Sequence, residues 1–207
     1  MNDPVVHIVD DEAALRGALA LLARSVGLKA QTYASASEFL DAYRPGGTGC
    51  LLVDVRMPGM SGIDLLERLR TVEGALPAIV MTGHGDVPVA VRAMRAGAID
   101  FIEKPFQDQH LLDLIHEGIR LSADRAARRT ALAAARERIA VLTPREREVL
   151  DFLVEGRLNK VIADRLGISP RTVELHRAHI MDKTGARSLS ALVRLALKAG
   201  IGEGADL

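Results

Sequence analysis

The chain has 207 residues, of which 48% are hydrophobic and 26% are charged. This balance predicts folded domains and excludes a disordered or low-complexity protein. No apolar run approaches the roughly 20 residues that span a membrane, and the N-terminal residues lack the pattern of a signal peptide. We therefore expect a soluble, cytoplasmic protein with no membrane partner. The single cysteine, Cys50, excludes an internal disulfide and a multi-thiolate metal site, and it is expected to be a small buried residue.

The net charge of zero is an average over two unlike halves. Residues 1–121 carry 11 basic and 16 acidic side chains, whereas residues 122–207 carry 16 basic and 11 acidic side chains. This asymmetry indicates that the first half handles cations or phosphate-transfer partners and that the second contacts nucleic acid. Five of the basic residues lie in one Ala- and Arg-rich stretch and are hypothesised to face the acidic half or a partner chain instead: Arg125, Arg128, Arg129, Arg136 and Arg138.

The first half alternates short apolar strands with amphipathic helices. Strands are predicted at residues 5–9, 28–33, 50–53, 78–81 and 99–102. Helices are predicted between them, beginning near Glu12, at Ser37, near Ile63 and at Val87. Five strand–helix units in about 120 residues predict a flavodoxin-like doubly wound α/β domain over residues 1–121.

The second half contains no predicted strand. The last helix of the first domain is expected to continue into a helical linker at residues 122–140, without the apolar seam of a coiled coil. Thr143 and Glu146 then form a capping-box pattern that opens an all-α domain over residues 141–207. Its later helices are predicted at residues 160–166, 170–183 and 189–199. The tight turn at Gly167, between the second and third helices, predicts a helix-turn-helix.

Polar side chains follow four strands of the predicted sheet. Asp10 and Asp11 follow the first strand, Asp54 the third, Thr82 the fourth and Lys104 the fifth. The carboxyl ends of parallel strands form the ligand-binding edge of such sheets, so we expect these side chains to lie close together. Carboxylate oxygens suit Mg²⁺, and a metal-bound carboxylate beside a lysine and a hydroxyl is a suitable phosphoryl acceptor.

The motifs at this edge resemble those of a known family. Residues 9–12 read VDDE, residues 54–62 read DVRMPGMSG, residues 81–86 read MTGHGD and residues 103–106 read EKPF. Together they resemble a bacterial response-regulator receiver domain, in particular the FixJ subgroup of the NarL/FixJ family. The resemblance extends over nearly the whole chain.

The resemblance implies a role for each residue at the sheet edge. Asp54 is the implied phosphoacceptor, and Thr82 and Lys104 bind the phosphoryl group. The implied Mg²⁺ ligands are Asp10, Asp11, Asp54 and the backbone carbonyl of Arg56. Phe101 is the implied switch aromatic, and the bond between Lys104 and Pro105 is expected to be cis. Arg56 and His84 either set the lifetime of the acyl phosphate or are solvated loop residues.

The second half resembles a LuxR-type DNA-binding domain in residues 142–150 (LTPREREVL), 159–163 (NKVIA) and 169–176 (SPRTVELH). Its third helix is then expected in the major groove. The expected DNA contacts are Asn159, Lys160, Arg171, Thr172, Glu174, Leu175, His176, Ala178, His179 and Lys183. The family commonly carries basic residues at the positions of Glu174 and Ala178. Glu174 is therefore either a reader of cytosine or a solvated charge.

These expectations describe a bacterial two-component transcription regulator and not an enzyme beyond its acceptor chemistry. The expected partners are a sensor histidine kinase, double-stranded promoter DNA, RNA polymerase and a second copy bound through helix four and strand five. Relief of interdomain inhibition is the alternative form of coupling. A phosphorylation-independent DNA-binding regulator is a further alternative. A Mg²⁺-dependent aspartyl-phosphate phosphatase is disfavoured because Arg56 stands where that class has a second acid.

Overall fold

The computed structural model describes residues 3–83 and 87–202, so His84 lies outside the described residues. The chain divides into two compact units, Met1–Ala127 and Arg128–Leu207. Among the described residues, no helix is both long and apolar enough to cross a membrane.

The first unit is built on a parallel five-stranded sheet. Its strands are β1 (Val5–Val9), β2 (Lys29–Tyr33), β3 (Gly49–Asp54), β4 (Ala78–Thr82) and β5 (Asp100–Glu103). They are ordered β2-β1-β3-β4-β5 in the sheet. This order places β1, β3 and β4 centrally and confirms the predicted flavodoxin-like fold.

Helices cover both faces of the sheet. They are α1 (Ala13–Ser25), α2 (Ala36–Ala42), α3 (Gly62–Leu69), α4 (Val87–Ala96) and α5 (Asp108–Ala140). Every residue of β3 is buried, because both faces of this central strand are covered by helices. One core forms around Phe39, Leu51 and Leu65, and the other forms around Ile8, Leu52 and Leu111.

Helix α5 is longer than the helices before it, with 33 residues. The boundary between the two units falls inside it, after Ala127. Ala135 and Ile139, which lie in the predicted linker, are buried in the core of the second unit. The C-terminal turns of α5 therefore belong to the second unit by their packing.

Residues 128–202 of the second unit form helices joined by turns, with no strand among them. After α5 it contains α6 (Pro144–Val154), α7 (Asn159–Leu166), α8 (Pro170–Thr184) and α9 (Leu189–Lys198). The predicted capping box at the start of α6 is present, with Thr143 and Glu146 bonded reciprocally. Gly167 ends α7 with a φ of 65°, a left-handed conformation that glycine adopts readily, and the chain turns there into α8.

Candidate functional site

Two buried carboxylates lie side by side at the C-terminal edge of the sheet. Strands β1 and β3 are neighbours in parallel register, with Val9 opposite Val53. The next residue of each strand is an aspartate, so Asp10 and Asp54 are adjacent. Their exposed fractions are 1% and 7%. Two carboxylates this close together and this well shielded from water require a cation between them.

Lys104 supplies that cation. Its Nζ donates to Asp54 Oδ1 at 2.6 Å and to Asp10 Oδ2 at 2.9 Å. Partial burial acts to lower the pKa of Lys104, but the hydrogen bonds and charges of Asp54 and Asp10 outweigh it and raise the pKa above its ordinary value. The lysine therefore stays charged at neutral pH. It is held in place by its backbone N–H, which donates to the Thr82 carbonyl at 2.7 Å, and it precedes a cis bond to Pro105, as expected.

Backbone amides hold the second oxygen of each carboxylate. Asp54 Oδ2 accepts from the Arg56 N–H at 2.6 Å, and Asp10 Oδ1 accepts from the Glu12 N–H at 2.8 Å. These bonds fix both side chains in orientation. The Asp54 carboxylate is therefore held in a fixed orientation at the sheet edge.

The predicted metal ligands are only partly assembled. Asp10 and Asp54 meet, but the Asp11 side chain is exposed. Among residues 3–83 and 87–202, no three or more His, Cys, Asp or Glu side chains form a group that could hold a metal ion. The donors at this edge are all oxygens, which fits Mg²⁺ in chemical type. In this structure the positive charge between the two carboxylates belongs to Lys104.

Thr82 and Phe101 lie beside an open apolar groove. Thr82 ends β4 and is 4% exposed, whereas Phe101 on β5 is 40% exposed. Both line a cavity of about 680 Å³, whose other walls are Val87, Ala90, Val91, Met94, Arg95 and Glu103. We name the apolar part of this lining the α4–β5 groove: Val87, Val91, Met94 and Phe101. The groove leaves open space beside both Thr82 and Phe101.

Close backbone packing brings α3 against the end of β3. A Cβ at Gly62 would lie 2.2 Å from the Asp54 carbonyl oxygen and 2.9 Å from Val53 Cγ2. Only glycine fits there. The Gly62 N–H donates to the Val55 carbonyl at 3.1 Å. This glycine had no predicted role, although it closes the motif that follows Asp54.

The second unit presents one face of α8 to solvent. The exposed residues on it are Arg171, Glu174, Leu175, Ala178 and His179, while Thr172 and His176 are half-buried. Val173 and Ile180 are fully buried, as the helical period predicts. Lys160 on α7 is also exposed. This face has the residue types and the exposure of a nucleic-acid interface.

Two of the expected DNA contacts are engaged within the unit. The Asn159 Oδ1 atom accepts from Arg177 Nη1 at 2.7 Å. The Lys183 ammonium bonds both carboxylate oxygens of Glu146 at 2.8 Å. The contact of Asn159 uses its side-chain oxygen and not its amide N–H groups, whereas Lys183 has two of its three donors committed to Glu146.

Two arginines of α5 cap other helices of the second unit. Arg138 donates to the Thr184 carbonyl through Nε at 2.8 Å and also through Nη2, and Arg136 donates to the Ala199 carbonyl at 3.4 Å. The hypothesis that the α5 arginines face the acidic half or a partner chain is wrong for these two. One general rule could have suggested these two contacts. The last carbonyls of a helix lack partners within the helix and attract cations.

Cys50 is fully buried, as expected. Burial raises the pKa of its thiol to about 12, so it remains a protonated, unreactive core residue at neutral pH.

Two family models match the chain. Residues 6–116 match the response regulator receiver domain. Residues 140–196 match the luxR family of bacterial regulatory proteins. The first match contains the Asp10, Asp54 and Lys104 cluster, and the second contains α8.

Relatives of similar length align with nearly the whole chain. The transcriptional regulatory protein FixJ of Azorhizobium caulinodans is 49% identical, with 97% of this chain and 95% of that protein covered. FixJ of Bradyrhizobium diazoefficiens is 47% identical, with 95% and 96% covered. The C4-dicarboxylate transport transcriptional regulatory protein DctR of Rhodobacter capsulatus is 45% identical, with 92% and 98% covered.

Two solved structures are similar to this chain over nearly its whole length. The response regulator StyR is 45% identical, with 95% of this chain and 100% of that chain covered at a TM-score of 0.83. Full-length FixJ from B. japonicum is 43% identical, with 97% and 98% covered at a TM-score of 0.57.

Proposed function

The chain belongs to the two-component response regulators that join a receiver domain to a LuxR-type DNA-binding domain, and we propose that phosphorylation of Asp54 by a sensor histidine kinase controls its binding to promoter DNA. The observation that carries the proposal is the ion pair of Lys104 with Asp54 and Asp10 at the sheet edge. Because its target is promoter DNA, we place this activity in the bacterial cytoplasm.

Phosphoryl transfer uses groups that are already in position. An Asp54 oxygen attacks the phosphorus of the kinase phosphohistidine, a new P–O bond forms, and the P–N bond breaks. The imidazole leaves with the bond's electron pair and is reprotonated. Lys104 and the Arg56 N–H, which both bond the Asp54 carboxylate, are close enough to neutralise and orient the arriving phosphoryl oxygens.

Mg²⁺ belongs to the same proposal. Asp10, Asp11, Asp54 and the Arg56 backbone carbonyl would hold it, and all of these donors are oxygens. When bound, the ion neutralises charge on the phosphoryl oxygens. The carboxylate pair supports this assignment, because two carboxylates carry two negative charges and Lys104 offsets only one of them.

The phosphoryl group acts on the α4–β5 groove through Thr82. The Thr82 hydroxyl and Lys104 move toward the new phosphoryl oxygens, and the half-exposed Phe101 ring turns into the space beside β4. This changes the surface formed by α4 and β5, where Val91, Arg95 and Asp100 lie. This change can act as a switch only if a partner binds the phosphorylated and the unphosphorylated surface with different affinities.

We assign the partner at that surface to a second copy of the chain. Val87, Val91, Met94 and Phe101 are between 40% and 71% exposed, so the groove offers apolar area to bury. Two chains joined there hold two LuxR-type domains together, which raises the effective concentration of the second domain after the first has bound a half-site.

The DNA-binding face is the exposed side of α8. Arg171 and Thr172 at its N-terminal end, with Lys160 and Asn159 of α7, make the phosphate contacts. Further along α8, His176 and His179 belong to the same set. Glu174, Leu175 and Ala178 are exposed on the same face, and we propose that they approach base edges.

Mass spectrometry tests the acceptor directly. The full chain is incubated with Mg²⁺ and acetyl phosphate, and the modified peptide is identified. We expect one phosphoryl group on the peptide that contains Asp54, none in Asp54→Asn, and unchanged uptake in Asp41→Asn, which alters an exposed acid on α2. Phosphorylation at another residue, or none in the wild type, would overturn the proposal.

A further inference from the structure

Two cationic contacts meet at the C-terminal end of α8. Lys183 Nζ lies 2.8 Å from both carboxylate oxygens of Glu146, which is in the first turn of α6. Arg138, near the end of α5, donates through two nitrogens to the carbonyl of Thr184. One turn of α8 is thereby tied to two other helices of the same unit.

The Glu146 carboxylate is a built part of the fold. Glu146 is 3% exposed, and its Oε2 also accepts from the Thr143 N–H at 2.8 Å. The hydrogen bond from Lys183 is the main cause that holds the pKa of Glu146 down, at about 2. The carboxylate is therefore charged at any physiological pH, and its counter-ion is Lys183.

The Arg138 contact satisfies a different need. The last carbonyls of a helix have no partner within the helix and carry the negative end of its dipole. The Thr184 carbonyl is one of them, and the guanidinium of Arg138 covers it. Thr184 itself is 2% exposed, and its hydroxyl donates to the Ile180 carbonyl at 2.6 Å. Gly185 then ends α8 in a left-handed conformation with φ of 65°.

We propose that Arg138, Glu146 and Lys183 form an anchor that sets the pose of α8 on DNA, and that Lys183 acts through Glu146 instead of through a phosphate. The proposal rests on the proposed function, because it takes α8 as the helix that faces DNA. Glu146 and Lys183 are positioning residues: one is buried away from solvent, and the other has two of its three donors occupied.

A positioning residue and a phosphate contact respond differently to substitution. Loss of a phosphate contact weakens binding about uniformly across sequences and lowers the salt slope by about one. Loss of the anchor shifts the side chains on the exposed face of α8 relative to the base edges, so it reduces the preference for the bound sequence. A simple loss of folded protein weakens binding to every duplex equally and leaves that preference unchanged.

The experiment compares two labelled duplexes. One is selected by the full wild-type chain from a random-sequence pool, and the other is a scrambled version of it. The specificity ratio, the affinity for the first over that for the second, is measured across a salt series. We expect Lys183→Met and Glu146→Gln each to lower the ratio about tenfold with little change in salt slope. The double variant should lower the specificity ratio little more than either single variant, because both substitutions remove the same interaction.

Two variants complete the design. Lys160→Met makes the same substitution at an exposed lysine of α7 and should lower the salt slope by about one while keeping the ratio. Lys183→Arg keeps a cation opposite Glu146 and should keep the ratio within about twofold. If the variants that break the ion pair fail to fold by circular dichroism, Arg138→Met carries the test, because it leaves no buried charge unpaired and should also lower the ratio.

The outcomes separate this inference from the proposed function. If the wild type selects no duplex, the proposed DNA-binding role fails first. If the wild type selects a duplex but Lys183→Met lowers the salt slope by about one and keeps the ratio, Lys183 is a phosphate contact. That result, or a Glu146→Gln or Arg138→Met variant with the wild-type ratio, would overturn the anchor.

Discussion

The ammonium group of Lys104 lies 2.6 Å from Oδ1 of Asp54. The same nitrogen reaches Asp10 Oδ2 at 2.9 Å, so a residue that follows β5 bridges two carboxylates that end β1 and β3. The lysine therefore fixes the orientation of the proposed acceptor, and it also offsets the repulsion between two nearly buried acids.

Removal of Lys104 should destabilise the first unit and increase its response to Mg²⁺. Lys104→Met leaves two adjacent carboxylates without a counter-ion, and we expect the free energy of unfolding to fall by about 3 kcal/mol. Added Mg²⁺ should then raise the thermal midpoint more in the variant than in the wild type. Lys29→Met is the control, because the Lys29–Asp3 pair is exposed and water and salt screen it. An equal Mg²⁺ response in Lys104→Met and the wild type would contradict this account.

Gly62 should not tolerate even a methyl group. In Gly62→Ala the new Cβ meets the backbone oxygen of Asp54 at 2.2 Å, and we expect a loss of about 2 kcal/mol in the free energy of unfolding. Phosphate uptake should slow as well, since the end of β3 must shift. Gly17→Ala in the exposed middle of α1 has nothing within 4 Å of its Cβ and should gain about 1 kcal/mol. Chemical denaturation measures both, and equal effects of the two substitutions would refute the packing argument.

The α4–β5 groove should control self-association. Met94 is 47% exposed on α4, and Met94→Glu places a charge in the area that the proposed dimer buries. With Mg²⁺ and beryllofluoride, sedimentation velocity should show a dimer in the wild type. The dissociation constant of that dimer should be at least about tenfold higher in the variant. Leu21→Glu makes the same kind of change at a 67% exposed position on α1 and should leave the dimer intact. If Leu21→Glu weakens the dimer and Met94→Glu does not, the interface lies elsewhere.

His7 should make the first unit sensitive to mild acid. Burial lowers the pKa of His7 to about 4, against an ordinary value of 6.5, so the unfolded chain takes up the proton first as the pH falls. The free energy of unfolding should therefore decrease between pH 6.5 and about 4. The fluorescence of Tyr33 and Tyr43, the two tyrosines of the chain, follows this unit specifically, because both lie beside His7.

The test of this prediction uses two histidine variants. His7→Phe, which keeps an aromatic ring beside Tyr33, Phe39 and Tyr43, should flatten the pH dependence of the urea midpoint. His110→Phe, at an exposed position, should keep it. An unchanged acid response in His7→Phe would show that other groups cause it.

Features that depend on one strand or one helix were predictable from sequence. Alternation of apolar strands and helices predicted the sheet, and the order of parallel strands then placed Asp10, Asp54 and Lys104 together. The capping pattern of Thr143 and Glu146 fixed the start of α6. Strand and helix ends moved by about one residue, because pairing across the sheet and packing decide where a hydrogen-bond ladder stops.

Contacts between distant residues that the order of the strands does not impose were not predictable. Lys183 is on the helix that faces solvent, and its sequence neighbours do not reveal that its ammonium turns back to Glu146, 37 positions earlier. The contact of Arg138 with the Thr184 carbonyl was equally unpredictable, because its basic neighbours in α5 suggested a charged surface. Gly62 is determined by a close approach to Asp54, which only the folded backbone shows.

The most direct test of the central claim is the affinity of the full chain for its selected duplex with and without beryllofluoride and Mg²⁺, measured for the wild type and for Asp54→Asn. The account predicts that beryllofluoride raises the affinity of the wild type by about tenfold or more and leaves Asp54→Asn unchanged. Equal affinities of the wild type in the two conditions, or the same rise in Asp54→Asn, would contradict it.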